Sequence, residues 1–359
     1  MASLLVTGAA GFIGSNFVRY WLQQHPVDRV VALDALTYAG HEINLNDVLA
    51  TEQLSFVCGD ICNTELVTSL LVAHDIDTIV HFAAESHVDR SITGPAQFIE
   101  TNVVGTHSLL QAARDIWLTT LAPHEHRFHH ISTDEVYGTL EDADPAFTEQ
   151  NLYQPNSPYA ASKAASDHLV RAYQHTYGLQ VTTSNCSNNY GPYHLPEKLI
   201  PLCIINLLQG KALPVYGSGK NVRDWLYVED HCRAIDLILQ RGKVGETYNV
   251  GGNNEWKNID VVHLLCDLLD KQFSAEPKLR QRYPQSHAAR GLPSRNAIEF
   301  VTDRAGHDWR YAIDATKIGR ELGFTPQESF ASGMEKTLHW FLHNADWWQH
   351  VQEDSVLAT

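Results

Sequence analysis

A hydroxyl side chain and two adjacent carboxylates lie together in the stretch Ser132-Thr133-Asp134-Glu135-Val136-Tyr137-Gly138. The residues before it, 127–131, are predicted to form a strand, and the carboxyl ends of strands in an open parallel sheet face the ligand crevice. Asp134 and Glu135 can both reach one ligand only if the strand has already ended, so we expect them in a loop. This set offers a hydroxyl contact to a substrate oxygen and an acid–base pair. An isolated Asp-Glu pair is more often a solvated turn, so its meaning depends on the rest of the chain.

Tyr159 and Lys163 form a second reactive pair. Pro158 marks a helix start, and the spacing of four residues places both side chains on one face of that helix. A tyrosine ordinarily ionises at about pH 10, so a neighbouring ammonium group is needed to favour the phenolate. This spacing is common by chance. It gains significance because it follows a glycine turn, a ribose-binding carboxylate and Thr133, in that order.

The glycine turn lies at the start of the chain, where Gly8, Gly11 and Gly14 have the spacing G-x-x-G-x-x-G between an apolar strand and a helix. Such a turn brings backbone N–H groups and the positive end of a helix dipole to a pyrophosphate. The next strand, 29–33, ends at Asp34, twenty residues after Gly14. A carboxylate there accepts both hydroxyls of an adenosine ribose and repels a 2′-phosphate. We therefore expect NAD rather than NADP.

Strands that alternate with helices predict an α/β fold, a doubly wound parallel sheet of the Rossmann type with a smaller, mixed C-terminal substrate domain. The expected NAD-binding domain is 1–187, with a return strand within about 226–252. The expected sugar-nucleotide-binding domain is 188–225 and 253–359. In it, 221–225 is predicted to be a loop that presents Arg223, and the polar, proline-bearing stretch 271–299 a long loop or lid.

The composition excludes several classes of function. The 359 residues carry a net charge of −16 and contain no basic run, which argues against nucleic acid or a membrane surface as partner. A strand at the very start leaves no room for a signal peptide, and no apolar run is long enough to span a membrane, so we expect a cytoplasmic protein. The six cysteines are scattered and predicted to be reduced.

A metal site is not expected. The histidines His124, His126, His129 and His130 cluster in sequence, but no cysteine or acidic residue stands at ligand spacing. His129 and His130 are neighbours in a predicted strand and therefore face opposite sides.

Several motifs together resemble one family. They are TGAAGFIGS, HFAAESHVDRSI, STDEVYG, YAASK, NCSNNYGPYHLPEKLIP, RDWLYVEDH and DRAGHD. Over about residues 3–345, the chain resembles the extended short-chain dehydrogenase/reductases and, within them, the dTDP-glucose 4,6-dehydratases. The Asp134-Glu135 pair separates that group from sugar-nucleotide epimerases and decarboxylases.

The resemblance implies a tightly held NAD and a dTDP-glucose substrate. The cofactor residues it implies are Gly8, Gly11, Phe12, Ile13, Gly14, Asp34, Leu36, Thr37, Asp60, Ile61, Ala83, Ala84, Ser86, Thr101, Tyr159, Lys163 and Asn188. The substrate residues it implies are Ser86, Thr133, Glu197, Lys198, Leu199, Pro214, Tyr216, Arg223, Asn258, Arg304 and His307, with an asparagine near position 187 whose place stays open.

The resemblance also implies the catalytic roles. Tyr159, supported by Lys163 and the nicotinamide charge, takes the proton from the C4 hydroxyl, to which Thr133 hydrogen-bonds. Glu135 removes the C5 proton, and protonated Asp134 gives a proton to the departing C6 hydroxyl. The family is typically a homodimer, with helices near 95–117 and 157–177 at the interface, although burial in the core would explain their apolar residues equally well.

Two departures from the family pattern bear on the substrate side. Ala305 replaces a usual proline, and the segment near 280–297 is longer than usual. The alternatives are an epimerase or dehydratase of the same superfamily acting on a UDP-sugar, and a dinucleotide-binding regulator without catalysis. A regulator tends to lose the Tyr or the Lys, and both remain here.

Overall fold

The computed structural model describes residues 1–119, 125–303 and 308–357, with side chains to 354. Its strands are β1 (Ser3–Thr7), β2 (Arg29–Asp34), β3 (Leu54–Cys58), β4 (Thr78–His81), β5 (Arg127–Thr133), β6 (Val181–Cys186), β7 (Asn188–Tyr190), β8 (Leu213–Tyr216), β9 (Val222–Tyr227), β10 (Thr247–Val250), β11 (Glu255–Lys257) and β12 (Ile298–Val301). Its α-helices are α1 (Phe12–Gln24), α2 (Thr64–Ala73), α3 (Val88–Thr93), α4 (Pro95–Phe98), α5 (Thr106–Trp117), α6 (Pro158–Tyr177), α7 (Leu199–Gln209), α8 (Val228–Arg241), α9 (Asn258–Ala275), α10 (Lys278–Arg282), α11 (Thr316–Leu322), α12 (Phe330–His343) and α13 (Ala345–Leu357). A π-helix (Ile99–Gly105) joins α4 to α5, and four 3₁₀ segments lie at Glu42–Leu45, Asp134–Tyr137, Ala288–Arg290 and Ser294–Ala297.

Seven parallel strands form the central sheet, in the order β10-β6-β5-β4-β1-β2-β3. The predicted doubly wound sheet is therefore confirmed. The strand order reverses between β1 and β4, and ligands of such sheets bind in the crevice outside the carboxyl ends at this point. The predicted return strand corresponds to β10, which extends the sheet beside β6.

The central sheet is covered on both faces. Leu4, Leu5 and Val6 of β1 are all fully buried, as expected of a parallel strand between two helical layers. One face packs with α2, α5 and α6 and the other with α1 and α8. Burial of apolar side chains on both faces is the main force that holds the layers together.

The C-terminal part has its own core and two small sheets. One sheet has the order β11-β9-β7, and the other pairs β8 with β12. The helices α7, α9, α12 and α13 pack around them through large buried side chains such as Phe330 and Trp348. The segment 188–190, predicted to be a turn, is the strand β7.

The loop predicted at 221–225 is wrong, because this segment begins the buried strand β9. Two charged residues, Arg223 and Asp224, interrupt the apolar pattern by which a buried strand is recognised in the sequence. The Asp224 carboxylate accepts hydrogen bonds from the backbone of Gly252 at 2.9 Å and Asn254 at 2.6 Å. The Arg223 guanidinium donates to the carbonyl of Asp308 at 2.9 Å and lies 4.3 Å from the Tyr311 ring centre. Partners distant in sequence therefore make the burial of both charges tolerable.

The long loop or lid predicted at 271–299 is also wrong. This segment contains the end of α9, then α10, two 3₁₀ turns and the start of β12. Leu279, Tyr283 and Ala288 are buried in the C-terminal core, and the Tyr283 hydroxyl donates to the carbonyl of Leu342 at 2.9 Å. Short helices that each bury one or two apolar residues show no helical periodicity over a long window, which is why the pattern looked irregular.

Three smaller corrections concern segments near the crevice. The strand predicted at 127–131 continues to Thr133, and Asp134 and Glu135 belong to a 3₁₀ turn rather than a loop. The helix predicted at 95–117 is interrupted by the π-helix. Its Asn102 side chain accepts from the backbone N–H of Glu85 at 2.8 Å and donates to the Ser162 hydroxyl at 2.8 Å. A π-helical turn of this kind is frequent at functional sites.

Four of the six cysteines and the described residues of the histidine cluster are buried. All six cysteines are free, four of them buried, although Cys58 is exposed and Cys62 is partly exposed. His129 and His130 face opposite sides, toward Thr182 and Asp167 respectively. No group of three metal-ligating side chains occurs among residues 1–119, 125–303 and 308–354, and His124 lies outside these ranges. None of the described helices has the length and apolar character of a membrane span.

Candidate active site

A pocket opens at the carboxyl ends of the central strands. Asp34 at the end of β2 and Asp60 after β3 line one end of the pocket. Thr133 at the end of β5 and Cys186 at the end of β6 line the other. Gly8 follows the central strand β1. The pocket thus spans the reversal point of the sheet over a length suited to an extended ligand.

The glycine turn is closely packed against the neighbouring strand connection. A Cβ atom on Gly8, whose φ is +66°, would lie 2.6 Å from the Ala83 nitrogen, and one on Gly14 would lie 2.1 Å from the Gly8 carbonyl oxygen. Side chains at these positions would push the backbone out of place. Gly11 is the residue immediately before α1 and provides no side-chain cap. The first N–H groups of the helix therefore face the pocket. Backbone donors at a helix N-terminus suit a pyrophosphate.

Asp34 is held in place by backbone donors at the adenosine end. Its Oδ2 accepts from the Ala10 N–H at 2.9 Å and its Oδ1 from the Leu36 N–H at 2.8 Å. A carboxylate has about four lone-pair sites, so two remain for the hydroxyls of a ribose. Burial raises the Asp34 pKa, and the backbone hydrogen bonds oppose that rise. Leu36 itself does not line the pocket but supplies one of these donors.

The structure brings together most residues predicted for the cofactor. Those that line the pocket are Gly8, Gly11, Phe12, Ile13, Gly14, Asp34, Thr37, Asp60, Ile61, Ala83, Ala84, Ser86, Thr101, Tyr159, Lys163 and Asn188. The glycine cradle, the uncapped helix start and the ribose-type carboxylate all fit an NAD molecule.

The acidic pair lies at the other end of the pocket. Thr133 is the last residue of β5. Its hydroxyl accepts a hydrogen bond from the Glu135 N–H at 3.3 Å and donates one to the Asp134 Oδ1 at 3.4 Å. Asp134 is only 1% exposed, whereas Glu135 is half-buried. Burial, followed by the charge of Glu135, raises the pKa of Asp134 well above its usual range. Burial therefore favours the protonated form of Asp134, which lies next to a second carboxyl group that lines the pocket.

Tyr159 and Lys163 lie one turn apart at the start of α6, as the spacing predicted. Ser157 caps this helix by accepting from the Ala160 N–H at 3.0 Å, and Pro158 occupies its first position. Burial, followed by the charge of Glu135, raises the pKa of Tyr159, and a hydrogen bond with Thr133 opposes the rise. Tyr159 therefore needs positive charge nearby to act as a base.

Lys163 supplies a buried positive charge. Its ammonium group donates to the Ile131 carbonyl at 2.8 Å. Burial lowers the Lys163 pKa, and the charge of Asp167 opposes that effect. Sequence reasoning missed Asp167, which lies one further turn along α6. Its signal was the same spacing of four residues, now between Lys163 and Asp167.

Three predicted substrate residues lie where the N- and C-terminal parts of the chain meet. Lys198 lines the pocket, and its ammonium group donates to the Ser86 carbonyl at 3.4 Å. Glu197 lies outside the pocket lining and pairs with His87 at 3.5 Å and Arg90 at 3.7 Å. Leu199 begins α7 beside them.

The asparagine expected near position 187 has two candidates, Asn188 and Asn189, because residue 187 is a serine. Ser187 lines the pocket together with Asn188 and Asn189, which follow it in the chain. The side-chain oxygen of Asn189 pairs with the His231 ring at 2.9 Å.

The remaining described substrate residues do not line this pocket. Pro214 and Tyr216 are in β8, where Tyr216 is 46% exposed, and Asn258 begins α9. Arg223 is oriented by three carbonyl oxygens and by the Tyr311 ring. Its charge acts on Asp134, whose pKa it lowers, so Arg223 lies near the acidic pair. Arg304 and His307, like Ala305, lie outside the described residues.

Several pocket residues were not predicted from the sequence. They are Leu33, Ala35, Ala39, Gly40, Gly59, Phe82, Glu85, Gln97, Ile131, Ser132, Cys186, Ser187, Asn189, His194 and Leu195. Most of them directly follow or precede predicted residues, so proximity in sequence was the available signal. His194 had a further one, since the aromatic Phe12 in the glycine turn needs a partner, and the two rings stack at 4.4 Å.

Comparison with known proteins gives consistent matches. A family model described as GDP-mannose 4,6 dehydratase matches residues 5–337. The dTDP-glucose 4,6-dehydratase of Xanthomonas campestris pv. campestris is 55% identical over 357 residues, which are 99% of this chain and 97% of that protein. The crystal structure of DesIV, a dTDP-glucose 4,6-dehydratase from Streptomyces venezuelae with NAD bound, is 48% identical with a TM-score of 0.85, covering 97% of this chain and 99% of that chain. The UDP-glucuronic acid 4-epimerase from Bacillus cereus shares the fold at 26% identity and a TM-score of 0.80, covering 95% of this chain and 99% of that chain.

The sheet order, the glycine turn and the Tyr159/Lys163 pair on one helix define an extended short-chain dehydrogenase/reductase. Within that class, the match to the dehydratases extends over nearly the whole chain. The sequence identity to them is about twice the identity to the epimerase. The chain belongs to the dTDP-glucose 4,6-dehydratase family.

Proposed function

We propose that the protein converts dTDP-glucose into dTDP-4-keto-6-deoxyglucose and water with a bound NAD. The observation that carries this proposal is the environment of Asp134. Asp134 is buried, which favours its protonated form, and it lies beside a second carboxyl group in the pocket that also holds a Tyr/Lys pair. An elimination of water needs an acid for the leaving hydroxyl and a base for the neighbouring carbon.

Tyr159, Thr133 and Lys163 serve the oxidation at C4. Bound NAD would supply the redox chemistry, accepting hydride from C4 and returning it to C6. Tyr159 takes the proton of the C4 hydroxyl, and Thr133 hydrogen-bonds to the same oxygen. The buried ammonium of Lys163 stabilises the Tyr159 phenolate electrostatically, against the burial that raises its pKa.

Asp134 and Glu135 serve the elimination. A keto group at C4 acidifies the C5 hydrogen, which Glu135 removes and later restores. Asp134 gives its proton to the C6 hydroxyl, which leaves as water. Two adjacent carboxyl groups in a closed site do not both ionise readily, so a shared proton suits one acid and one base, although the pair titrates as a unit.

The binding residues divide between cofactor and substrate. Asp34 accepts the adenosine ribose hydroxyls, which favours NAD over NADP because a 2′-phosphate would meet a carboxylate. Lys198 lies at the pocket, and Arg223 is a fixed guanidinium near the acidic pair, suited to a diphosphate. We place Glu197, Leu199, Pro214, Tyr216, Asn258, Arg304 and His307 in the same nucleotide-binding role.

The proposal extends to domains, assembly and location. Residues 1–187 and 226–252 bind NAD, and 188–225 and 253–359 bind the sugar nucleotide. A homodimer is supported by exposed apolar side chains near α5 and α6, which are Ile92, Ile99, Val104 and Tyr177. Six free cysteines support a reducing compartment such as the cytoplasm.

The UDP-sugar epimerase remains the enzymatic alternative. An epimerase returns hydride to C4 and has no leaving hydroxyl, so it has no use for a buried acid at Asp134. A regulator that only binds a dinucleotide has no use for the Tyr159/Lys163 pair.

The proposal is tested by incubating the purified protein with dTDP-glucose, UDP-glucose and UDP-glucuronic acid in separate reactions. We expect a 4-keto-6-deoxy sugar from dTDP-glucose, and NAD rather than NADP released on denaturation. Formation of a C4 epimer, or no conversion of any sugar nucleotide, would contradict the proposal.

A further inference from the structure

The last helix of the chain is connected to the glycine turn through one buried side chain. Asn44, which is 1% exposed, lies in the 3₁₀ segment Glu42–Leu45 between β2 and β3. Its side-chain N–H group donates to the Ala10 carbonyl at 2.7 Å, and its side-chain oxygen accepts from the Trp347 indole N–H at 2.7 Å. Trp347 is on α13, 303 residues further along the chain. Asn44 therefore joins α13 to the turn that suits a pyrophosphate.

The chemistry of the two partners fixes the orientation of the Asn44 amide. An indole N–H can only donate and a backbone carbonyl can only accept, so a rotated amide would make neither hydrogen bond. The backbone of Asn44 is also held, because its N–H donates to the His41 carbonyl at 2.9 Å and its carbonyl accepts from the Arg19 guanidinium. The His41 N–H donates to the same Ala10 carbonyl at 3.1 Å.

Ala10 links the two halves of the cofactor site. Its N–H donates to the Asp34 carboxylate at 2.9 Å, on the adenosine side. Because the peptide group is planar, fixing the Ala10 carbonyl also fixes the following N–H. That N–H belongs to Gly11 and closes the turn by donating to the Gly8 carbonyl at 3.1 Å. A shift of the Ala10 carbonyl would therefore disturb both the ribose carboxylate and the start of α1.

Trp347 is part of the C-terminal core. It is 6% exposed, and its ring lies 4.9 Å from the ring of Trp340 and 6.0 Å from that of Phe341, both on α12. Ile43, the residue before Asn44, packs against the same core. The position of Asn44 is thus set by the C-terminal part of the chain, although Asn44 itself is in the part predicted to bind the nucleotide.

We propose that Asn44 is a positioning residue for NAD, through which α13 holds the glycine turn in the shape that binds the pyrophosphate. Neither Asn44 nor Trp347 lines the pocket, so both act through the Ala10 backbone rather than on the cofactor itself. The inference rests on the proposed function, because it concerns the NAD that is assigned there. It makes a helix outside the predicted NAD-binding domain necessary for retaining the cofactor.

The test is the exchange of bound NAD in the purified holoenzyme against isotope-labelled NAD in the medium. Asn44→Ala removes both side-chain hydrogen bonds, whereas Trp347→Phe removes only the indole donor. We expect exchange about ten- to a hundredfold faster in Asn44→Ala and about three- to tenfold faster in Trp347→Phe, the range that the loss of buried hydrogen bonds produces. NAD at saturating concentration should restore kcat in both variants, and KM for dTDP-glucose should hardly change.

Trp348→Phe is the matched control. Trp348 neighbours Trp347 on α13, is 2% exposed, and its indole N–H donates to the Phe341 carbonyl at 3.1 Å, within the C-terminal core. The same change of ring there removes a comparable amount of core packing without a contact to Asn44. We expect NAD exchange at the wild-type rate in this variant, even if thermal unfolding shows a similar loss of stability.

The double variant tests whether Trp347 acts through Asn44. Two residues that act through one contact are not additive, so Asn44→Ala combined with Trp347→Phe should exchange NAD no faster than Asn44→Ala alone. A clearly faster double variant would overturn the proposed route.

The other outcomes separate this inference from the proposed function. If the wild type retains NAD and Asn44→Ala exchanges it at the wild-type rate, Asn44 is only structural and this inference fails alone. If Trp348→Phe accelerates exchange as much as Trp347→Phe, the cause is a general loosening of the core and the inference also fails. A wild type that neither carries nor binds NAD would overturn the proposed function and this inference with it.

Discussion

Asp134 and Glu135 are neighbours in sequence, yet the 3₁₀ turn after β5 gives them different surroundings. Asp134 is almost completely buried, which raises its pKa and favours its protonated form, while Glu135 is half-buried at the pocket. The two functions of an elimination, acid and base, can thus be assigned from burial. On this assignment, oxidation at C4 requires Tyr159 and elimination requires the acidic pair.

The two stages should therefore separate on mutation. Glu135→Gln keeps the shape of the side chain but cannot remove the C5 proton. With dTDP-glucose we expect this variant to reduce its bound NAD, visible as nicotinamide absorbance and fluorescence, while product forms about two to four decades more slowly. Tyr159→Phe is the matched comparison and should give neither signal. Turnover by Glu135→Gln near the wild-type rate would show that the acidic pair is structural.

Asp134 also makes a prediction for stability. Its folded-state pKa is raised, so above the unfolded value of about 4 the folded protein binds more protons than the unfolded chain. The contribution of the Asp134 carboxyl group to the free energy of unfolding is fully present below about pH 4. This contribution is lost as the pH rises through the folded-state pKa. Asp134→Asn does not titrate and should gain about 1 to 2 kcal/mol over the wild type between about pH 5 and pH 8.

Urea unfolding of both proteins at several pH values measures this difference. Asp142→Asn is the control, because Asp142 is exposed. A difference between Asp134→Asn and wild type that shrinks as the pH rises would contradict the burial of a proton-bearing acid.

At the scale of secondary-structure elements, the features that depend on local backbone geometry could be predicted from the sequence. The glycine turn is recognisable because Gly8 needs a positive φ and no side chain, and both requirements act within the turn and its immediate neighbour. Asp34 is recognisable because it ends a strand at a fixed distance from that turn. The helix of Tyr159 is marked by its own cap.

Structural features that depend on contacts between residues distant in sequence were not predictable from the sequence. The strand β9 contains Arg223 and Asp224, whose burial is possible only because of acceptors and donors supplied some thirty to ninety residues away. Asp167 is held by hydrogen bonds to two residues of β5, at sequence separations of 35 and 37. A pattern of apolar residues carries no information on such pairings.

Arg223 tests the role of β9. Arg223→Ala should raise KM for dTDP-glucose much more than it lowers kcat, because a contact to the diphosphate contributes to ground state and transition state alike. Loss of such a charge-assisted contact costs about 2 kcal/mol, or roughly thirtyfold.

Arg310→Ala is the control for that experiment. Arg310 also anchors the segment after residue 308, through Glu255 at 2.7 Å and the carbonyls of Glu141 and Asp144. If anchoring alone mattered, both variants would raise KM equally. An unchanged KM in Arg223→Ala would remove this residue from the substrate site.

At the scale of the whole molecule, the pocket is built by both parts of the chain. Lys198 approaches Ser86 across it, and Phe12 stacks on His194. Ile99 and Val104 of the π-helix and Tyr177 at the end of α6 are apolar and exposed.

Ile99→Glu tests whether these side chains join two copies. Ile99 is 49% exposed, and a carboxylate there would be costly to bury in an interface. We expect sedimentation velocity to show a dimer for the wild type and the 40.2 kDa single chain for the variant. Val72→Glu, on α2 with Val72 63% exposed, should remain a dimer. A monomeric wild type would contradict the dimer.

The central claim is that one active site oxidises C4, removes water and returns the same hydride to C6. It is tested most directly with dTDP-glucose carrying deuterium at C4, followed by mass spectrometry and NMR of the product. We predict one deuterium at C6 of a 4-keto-6-deoxy sugar, without loss to solvent. Deuterium retained at C4, in an epimer or in unchanged glucose, or lost from the product altogether, would contradict the account.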